Sequence, residues 1–171
     1  RVYTVPDIGS DGTLATTATA GKILQVVTAT TTTTVSTTTT NLIDTGLNCS
    51  ITPSSTSSKI LILANQQFYH SVSNLNALYM SIYMLRGSTI IHQPALPSGD
   101  PSFEIAGYFR MGGIWNLSFL DSPNTTSATT YKLQGQLYGN TGGYSGASVK
   151  YQNNPGVTNG SSYMHLLEVA A

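Results

Sequence analysis

Paired carboxylates are the usual machinery for hydrolysing a polysaccharide, and this sequence offers one close pair in a loop. A glycosidase holds two carboxyl groups about 5 to 10 Å apart, one as acid and the other as base or nucleophile. Among seven carboxylates, Asp100 and Glu104 are the pair in such a setting. An enzyme of this class normally also carries a repeat-bearing β-helix, and the 171 residues show no repeat. We therefore expect no catalytic residue and no enzyme activity. A polysaccharide-degrading spike, in which Asp100 and Glu104 would be the catalytic pair, is the enzymatic alternative.

The other reactive side chains do not form a recognised site. The three histidines, His70, His92 and His165, do not pair with one another or with a carboxylate at metal-ligand spacing. The single cysteine, Cys49, lies in an expected strand, where a small buried thiol is the usual role. The sequence has no Gly-x-Ser-x-Gly nucleophile elbow. We expect no metal ion and no cofactor.

Aromatic residues near polar loops favour recognition over catalysis. Tyr and Trp rings stack on sugar faces, while Asn, Ser and Gly supply adaptable hydrogen bonds. We take four aromatic residues in or beside loops as candidate receptor-binding residues: Tyr108, Trp115, Tyr144 and Tyr151. For Tyr108 and Trp115 a place in the core or a subunit interface is the more usual role, because amphipathic aromatics suit both places. Tyr144 and Tyr151 lie in a Gly- and Asn-rich segment, and we expect them to be exposed.

The composition excludes some partners. Charged residues make up 8% of the chain, against about 25% in an ordinary soluble protein, and the net charge is zero. Little charge repulsion keeps copies apart, which favours a large assembly. The chain lacks the basic surplus that nucleic-acid binding needs. No apolar run approaches the roughly 18 residues of a membrane span, so we expect neither nucleic acid nor membrane insertion.

The elements that must position these residues are short strands separated by turn clusters. Ile60 to Ala64 is the most hydrophobic run of the sequence and predicts a strand buried on both faces. Thr129 to Tyr138 alternates cleanly, and Ser162 to Val169 predicts a closing strand. With no confident helix, the pattern predicts an all-β protein, a jelly-roll-like antiparallel β-sandwich.

Three segments need separate interpretation. Apolar residues between Leu75 and Leu85 fall at helical spacing, but the turn residues Arg86 to Ser88 favour a β-hairpin. Gly112-Gly113 interrupts a strand and predicts either a bulge or a close backbone contact. His92 to Ser102 holds three prolines and predicts a long surface loop.

The chain divides into an arm and one domain. Residues 1–21 have too little apolar content to fold alone and predict an extended N-terminal arm that a neighbour orders. Residues 22–171 form the β-sandwich domain. Because the sequence begins with Arg1, we expect a processed product or part of a longer polypeptide.

Several short motifs together carry a family resemblance. They are Gly21–Val27, Asp44–Leu47, Ser50–Pro53 and Lys59–Ile62, followed by Thr130–Gln134 and a final strand at Leu166–Val169. Their combination, with a Thr/Ser-rich run between the first two, resembles bacteriophage virion and tail-fibre proteins with a C1q- or TNF-like jelly-roll domain, from phages of aquatic and cyanobacterial hosts.

The resemblance implies a homotrimer located in the virion, an extracellular particle, in contact with other virion proteins. The function expected from it is a non-enzymatic fibre-type domain that binds a host-surface receptor, with a glycan as the expected ligand. The alternative is a purely structural capsid decoration or fibre subunit that docks on other virion proteins through the N-terminal arm.

Overall fold

The computed structural model describes residues 22–72, 78–93, 102–105, 109–139, 148–152 and 160–171. Within these ranges the chain forms eleven β-strands and no helix. In chain order they are β1 (Ile23–Thr31), β2 (Val35–Thr37), β3 (Ile43–Ile51), β4 (Lys59–Val72), β5 (Leu78–Arg86), β6 (Thr89–His92), β7 (Ser102–Ile105), β8 (Phe109–Asp121), β9 (Thr129–Gly139), β10 (Ser148–Tyr151) and β11 (Ser162–Val169).

The strands form two antiparallel sheets, which we call sheet A and sheet B. Sheet A is built around β4: β11 and β10 pair with successive halves of one edge, and β8 pairs with the other edge. β1 lies outside β11, and β2 lies outside β10. Sheet B has the order β3-β9-β5, with β6 and β7 both pairing with the far edge of β5.

The connections between the sheets define a jelly roll. The chain runs from β1 in sheet A to β3 in sheet B, then alternates through β4, β5, β8, β9 and β11. The resulting strand orders are β1-β11-β4-β8 in one sheet and β3-β9-β5-β6 in the other. This is the double-sheet arrangement of jelly-roll proteins. The predicted all-β, jelly-roll-like antiparallel β-sandwich is therefore confirmed.

The ambiguous segment before the prolines is a hairpin. β5 and β6 pair across a tight turn, with Arg86 opposite Thr89. Gly87 in that turn has φ of +59°, a left-handed conformation that glycine adopts without a steric penalty. The β-hairpin prediction is confirmed, and the helical alternative is wrong for residues 78–86.

The two sheets enclose a core in two parts. The larger part is lined by residues from both sheets: Leu47, Cys49, Ile51, Ile60, Ile62, Ala64, Ile82, Met84, Leu117, Tyr131, Leu133, Met164 and Leu166. The smaller part contains Phe68, Met80, Leu137, Val149 and Tyr151. Trp115 packs against both parts. The expected burial of the Cys49 thiol is confirmed, and burial raises its pKa.

The most hydrophobic run is buried on one face only. Ile60 and Ile62 are fully buried, whereas Leu61 is half-buried and Leu63 is 37% exposed. The prediction of burial on both faces is wrong for the single chain. Sheet A packs against sheet B on its inner side, and within the described ranges nothing covers its outer side.

The paired glycines of β8 mark a close contact. A Cβ atom at Gly113 would lie 2.8 Å from the ring of Phe68. β4 and β8 pair around this point without a register shift. Of the two predicted alternatives for Gly112-Gly113, the close contact is confirmed at Gly113 and the bulge is wrong.

A buried carboxylate ties the edge of sheet A to the β3–β4 loop. Glu168 accepts hydrogen bonds from the backbone N and hydroxyl of Ser54, at 2.7 and 2.6 Å, and from Gln25 Nε2 at 2.6 Å. Burial raises the pKa of this carboxyl, but the hydrogen bonds from Ser54 and Gln25 outweigh it and bring the pKa to about 2. Glu168 therefore stays ionised and holds β1, β11 and the loop together.

A second polar cluster fastens sheet A to sheet B. Arg86 Nη1 lies 3.0 and 2.8 Å from the two carboxylate oxygens of Asp121. The Tyr131 hydroxyl donates a hydrogen bond of 2.8 Å to Asp121 Oδ2. Burial raises the pKa of Tyr131, and the neighbouring carboxylate raises it further, so the phenol remains a donor.

Three parts of the predicted organisation lie wholly or largely outside the described residues. They are the N-terminal arm 1–21, the Pro-rich segment 94–101, and residues 140–147 and 153–159 of the Gly-rich segment.

Candidate functional site on the outer face of sheet A

Apolar side chains line up across the outer face of sheet A. Val26 in β1 pairs with Leu167 in β11, Leu167 pairs with Leu61 in β4, and Leu61 pairs with Leu120 in β8. These four residues, which we call the apolar row, cross the four strands at one level. Val26 is 57% exposed and Leu120 is 48% exposed, while Leu61 and Leu167 are half-buried.

The local sequence of each strand explains only why apolar side chains point to the outer face. In a β-strand alternate side chains point to opposite faces, so a run such as Ile60 to Ala64 supplies both the core and the outer face. Ile23 and Leu24, at the register shift in β1, are 51% and 43% exposed. Ile114 of β8 is 52% exposed. The four residues of the apolar row are consecutive partners across β1, β11, β4 and β8, so apolar exposure is continuous along the row, whereas Asn116 and Ser118 separate Ile114 from Leu120 along β8.

The outer face of sheet B has the opposite character. Lys132 Nζ lies 2.8 Å from Asp44 Oδ1, and Gln134 Nε2 donates a 2.7 Å hydrogen bond to the same oxygen. The hydroxyls of Ser50 and Thr130 lie 2.7 Å apart across the same strand pair. Charged and hydroxyl groups of this kind are typical of a solvent-exposed surface. Of the two outer faces, the apolar one of sheet A is therefore the candidate interaction surface.

Beside the apolar row, the same face contains a depression of about 380 Å³. We call it the depression, and six outward or rim side chains line it: Leu63 and Asn65 of β4, Asn116 and Ser118 of β8, and Tyr163 and His165 of β11. Leu63 and Asn65 follow Leu61 on the same face of β4, at about 6.6 and 13 Å along the strand. The depression is therefore a neighbour of the apolar row.

The lining combines amide, aromatic and imidazole groups. Asn65 Nδ2 donates a 2.8 Å hydrogen bond to Asn116 Oδ1. The rings of Tyr163 and His165 have centroids 5.1 Å apart and are tilted by 47°. His165 Nδ1 lies 2.9 Å from the Thr28 hydroxyl, which holds the ring in place. Tyr163 is 40% exposed, so part of its ring is open to a ligand.

The four aromatic residues predicted from the sequence do not meet at one described site. Trp115 is half-buried and lies edge-on to Phe68, with ring centroids 6.1 Å apart. Tyr151 is only 1% exposed. Tyr108 and Tyr144 lie outside the described residues. Receptor binding by these four residues stays a prediction.

The expectation that Tyr151 is exposed is wrong. Its strand β10 joins sheet A beside β4, with Tyr151 opposite Phe68, so its ring points into the smaller part of the core. The Tyr151 hydroxyl packs directly on the backbone of Gly135, where no Cβ atom stands in the way. Burial raises the pKa of this phenol well above its usual range.

The histidines lie apart from one another. His70 is fully buried, and burial lowers its pKa to about 4. The ring of His92 stacks on Phe119 with centroids 5.0 Å apart, and His165 lies on the outer face. The structure does not describe Asp100 or the side chain of Glu104.

The described ranges lack two further features. No group of three or more His, Cys, Asp or Glu side chains is placed to hold a metal ion there. The same ranges contain no helix of sufficient length and apolarity to span a membrane.

The apolar row and the depression were not predicted from the sequence, although two of the patterns that contribute to them are present in it. The apolar run Ile60 to Ala64 and the alternation of Tyr163, His165 and Leu167 were visible. The sequence does not show that these strands lie side by side, because the row joins residues from opposite ends of the chain.

Comparison with known proteins gives only distant structural similarity. Neither a protein-family model nor a curated protein matches the sequence. The chain is similar to the structure of the infectious bursal disease virus Gt strain, with 16% identity and a TM-score of 0.39 over 97% of this chain and 45% of that one. It is also similar to the VP2 subviral particle of the same virus, with 16% identity and a TM-score of 0.38 over 97% of this chain and 44% of that one. For the T13 particle of that virus the identity is 14% and the TM-score 0.40, over 97% of this chain and 42% of that one.

The chain thus spans less than half the length of each of these three structures. At such identities and TM-scores, the similarities assign neither a family nor a function to the chain.

Proposed function

We propose that the chain is a non-enzymatic structural subunit of a virus particle, of fibre or capsid-decoration type, that assembles with copies of itself through the outer face of sheet A. The observation that carries this proposal is the apolar row. β4 has the sequence of a strand buried on both faces, but the single chain buries only one. A second copy that packs on the apolar row supplies the missing cover there and leaves the depression beside the row open.

The outer face of sheet A supplies part of the area of such an interface and carries little charge. Four strands about 4.8 Å apart, over the eight residues of β11 at about 3.3 Å each, give a projected area of roughly 500 Å² for the whole face, the depression included. Each partner contributes roughly 800 Å² to a stable interface, so a second copy that packs on the apolar row also contacts surfaces beside this face. None of the residues of the apolar row or the depression carries a fixed charge, and the exposed Lys59, opposite Val169, lies on the same face beyond Leu61.

A closed homotrimer in the virion is the assembly that the sequence resemblance to phage fibre proteins implies. Homo-oligomers usually have closed symmetry, which hides the apolar face from further association. The low charge content of the chain also favours association over a free monomer. Contact with other virion proteins through residues 1–21 belongs to the same proposal, and deleting them should then abolish incorporation into particles.

The assembly proposal is tested by charging the apolar row. Light scattering after size exclusion should give three times 18.1 kDa for the wild type and 18.1 kDa for the double variant Val26→Lys, Leu120→Lys. Both side chains are about half exposed, so the substitutions leave the core intact. Ser50→Lys, an exposed site on sheet B, is the matched control and should stay trimeric. A wild type of 18.1 kDa, or a double variant with unchanged mass, would refute the proposal.

Host-surface receptor binding is the second candidate function, and the depression favours it. Its lining pairs an exposed aromatic ring with two amides, the side chains that bind sugars and other polar ligands in adaptable sites. The test is adsorption of the fluorescently labelled oligomer to cells of a cyanobacterial or other aquatic bacterial panel. Saturable binding to some strains is expected, and background binding to the whole panel would exclude this function for those hosts.

A further inference from the structure

We propose that the depression is a binding site for a neutral sugar, which it recognises through a pair of adjacent hydroxyl groups. This inference rests on the receptor-binding function proposed above and names its ligand class. It moves the ligand site from the four aromatic residues chosen from the sequence to the outer face of sheet A.

The two amides present the groups that a vicinal diol needs. Asn65 Nδ2 is used in the hydrogen bond to Asn116 Oδ1, so Asn65 Oδ1 and the Asn116 amide N–H groups are not used in this bond. If both amides were turned over, one acceptor and one donor would still remain. Adjacent sugar hydroxyls each donate and accept, so one can donate to the free oxygen while its neighbour accepts from the free amide.

The aromatic ring supplies the apolar contact. Tyr163 is 40% exposed at the depression, and the tilted His165 ring packs beside it with centroids 5.1 Å apart. A sugar ring has an apolar face of C–H groups that packs against an aromatic face. Tyr163, Asn65 and Asn116 lie opposite one another across β11, β4 and β8, and Leu63, 37% exposed, adds apolar surface in the next row, between His165 and Ser118.

The size and charge of the depression limit which sugars it can bind. A volume of about 380 Å³ is at the lower end of the roughly 300 to 1,000 Å³ of small-molecule sites and suits a single sugar residue. The lining has no Lys, Arg, Asp or Glu side chain, so it offers no counter-charge to a sialic or uronic acid. A shallow neutral site binds weakly, and several copies in one oligomer compensate through avidity.

The test uses ligand-observed NMR with the methyl glycosides of glucose, galactose and mannose, and N-acetylneuraminic acid as the anionic control. We expect at least one neutral glycoside to bind with a millimolar Kd and the anionic sugar not to bind. Tyr163→Ala should weaken binding about tenfold, the value of one aromatic contact of about 1.4 kcal/mol. Ser118→Trp, at an exposed lining position, should fill the depression and abolish binding.

The matched control is Tyr69→Ala. Tyr69 lies on the same outer face of β4, four residues beyond Asn65 and outside the depression. It should leave the Kd unchanged, and thermal melting of each variant checks the fold. Equal losses for Tyr163→Ala and Tyr69→Ala, or no binding of any neutral glycoside, would overturn the inference.

Failure of the sugar inference and failure of the receptor-binding function give different results. If the oligomer adsorbs to cells and no neutral glycoside competes, the sugar inference is wrong and the receptor function stands. If Tyr163→Ala changes the oligomeric mass and leaves glycoside binding intact, the depression is part of the subunit interface and the inference is also overturned. If a neutral glycoside binds in the depression and no cell adsorption occurs, the sugar site is supported and the receptor function fails.

Discussion

Acid should destabilise the domain through His70. This residue lies on the inner face of β4 with no exposed surface, and neither ring nitrogen has a hydrogen-bond partner among the described residues. Burial disfavours the charged imidazolium, which lowers the pKa from 6.5 to about 4. As pH falls, the unfolded chain therefore binds a proton before the folded chain does.

The size of the effect follows from the two pKa values. The stability associated with the neutral ring is fully present above pH 6.5 and is lost progressively as pH falls to about 4. A pKa difference between 6.5 and about 4 corresponds to a loss of roughly 3 kcal/mol in the free energy of unfolding. That is a large share of the roughly 5 to 15 kcal/mol by which domains are stable.

The assay is urea denaturation of the wild type and of His70→Phe at pH 7.5 and pH 4. Phe keeps the aromatic volume and cannot titrate, so its pH dependence should be smaller than that of the wild type by roughly 3 kcal/mol. At pH 7.5 the variant should be as stable as the wild type or more so, because it removes two unpaired polar atoms. The same pH dependence in both proteins would refute the reasoning.

Two further predictions concern buried contacts. Glu168→Gln should lower the free energy of unfolding at pH 7 by about 2 kcal/mol, because the hydrogen bonds from Ser54 and Gln25 lose their charged acceptor; urea denaturation measures this. The difference should shrink as pH falls from 4.5 towards about 2, and a pH-independent difference would contradict the assignment. Gly135→Ala should cost about 1 to 3 kcal/mol, because the new Cβ overlaps the Tyr151 hydroxyl. Tyr151→Phe in the same chain should restore part of that loss, and strict additivity of the two changes would argue against the contact.

The sequence predicted the elements whose signal is local. Strict alternation in Thr129 to Tyr138 and in Ser162 to Val169 predicted β9 and β11, since every second side chain of a strand points to the same face. The turn residues around Gly87 predicted the β5–β6 hairpin against a competing helical spacing. The close contact at Gly113 was one of two alternatives, because a glycine in a strand does not reveal which neighbour packs on it.

The features that failed depend on which strands become neighbours. Periodicity shows that Tyr151 points to one side of its strand, but its burial depends on β10 pairing with the end of β4. Burial of Ile60 to Ala64 on both faces was a reasonable prediction from composition, but the described residues of one chain form two sheets and leave the outer face of sheet A open.

The candidate site could not be predicted from the sequence for the same reason. Val26 and Leu167 pair across nearly the whole length of the chain, and the apolar row exists only because four strands share one register. No local pattern in the sequence encodes that register.

The central claim, that a second copy packs on the apolar row of sheet A, is tested most directly by isotope-filtered NMR on an equal mixture of labelled and unlabelled chains. The account predicts intermolecular nuclear Overhauser effects to the methyl groups of Val26, Leu61 and Leu120. An oligomer that lacks these contacts, or that shows them only at residues of sheet B, would contradict it.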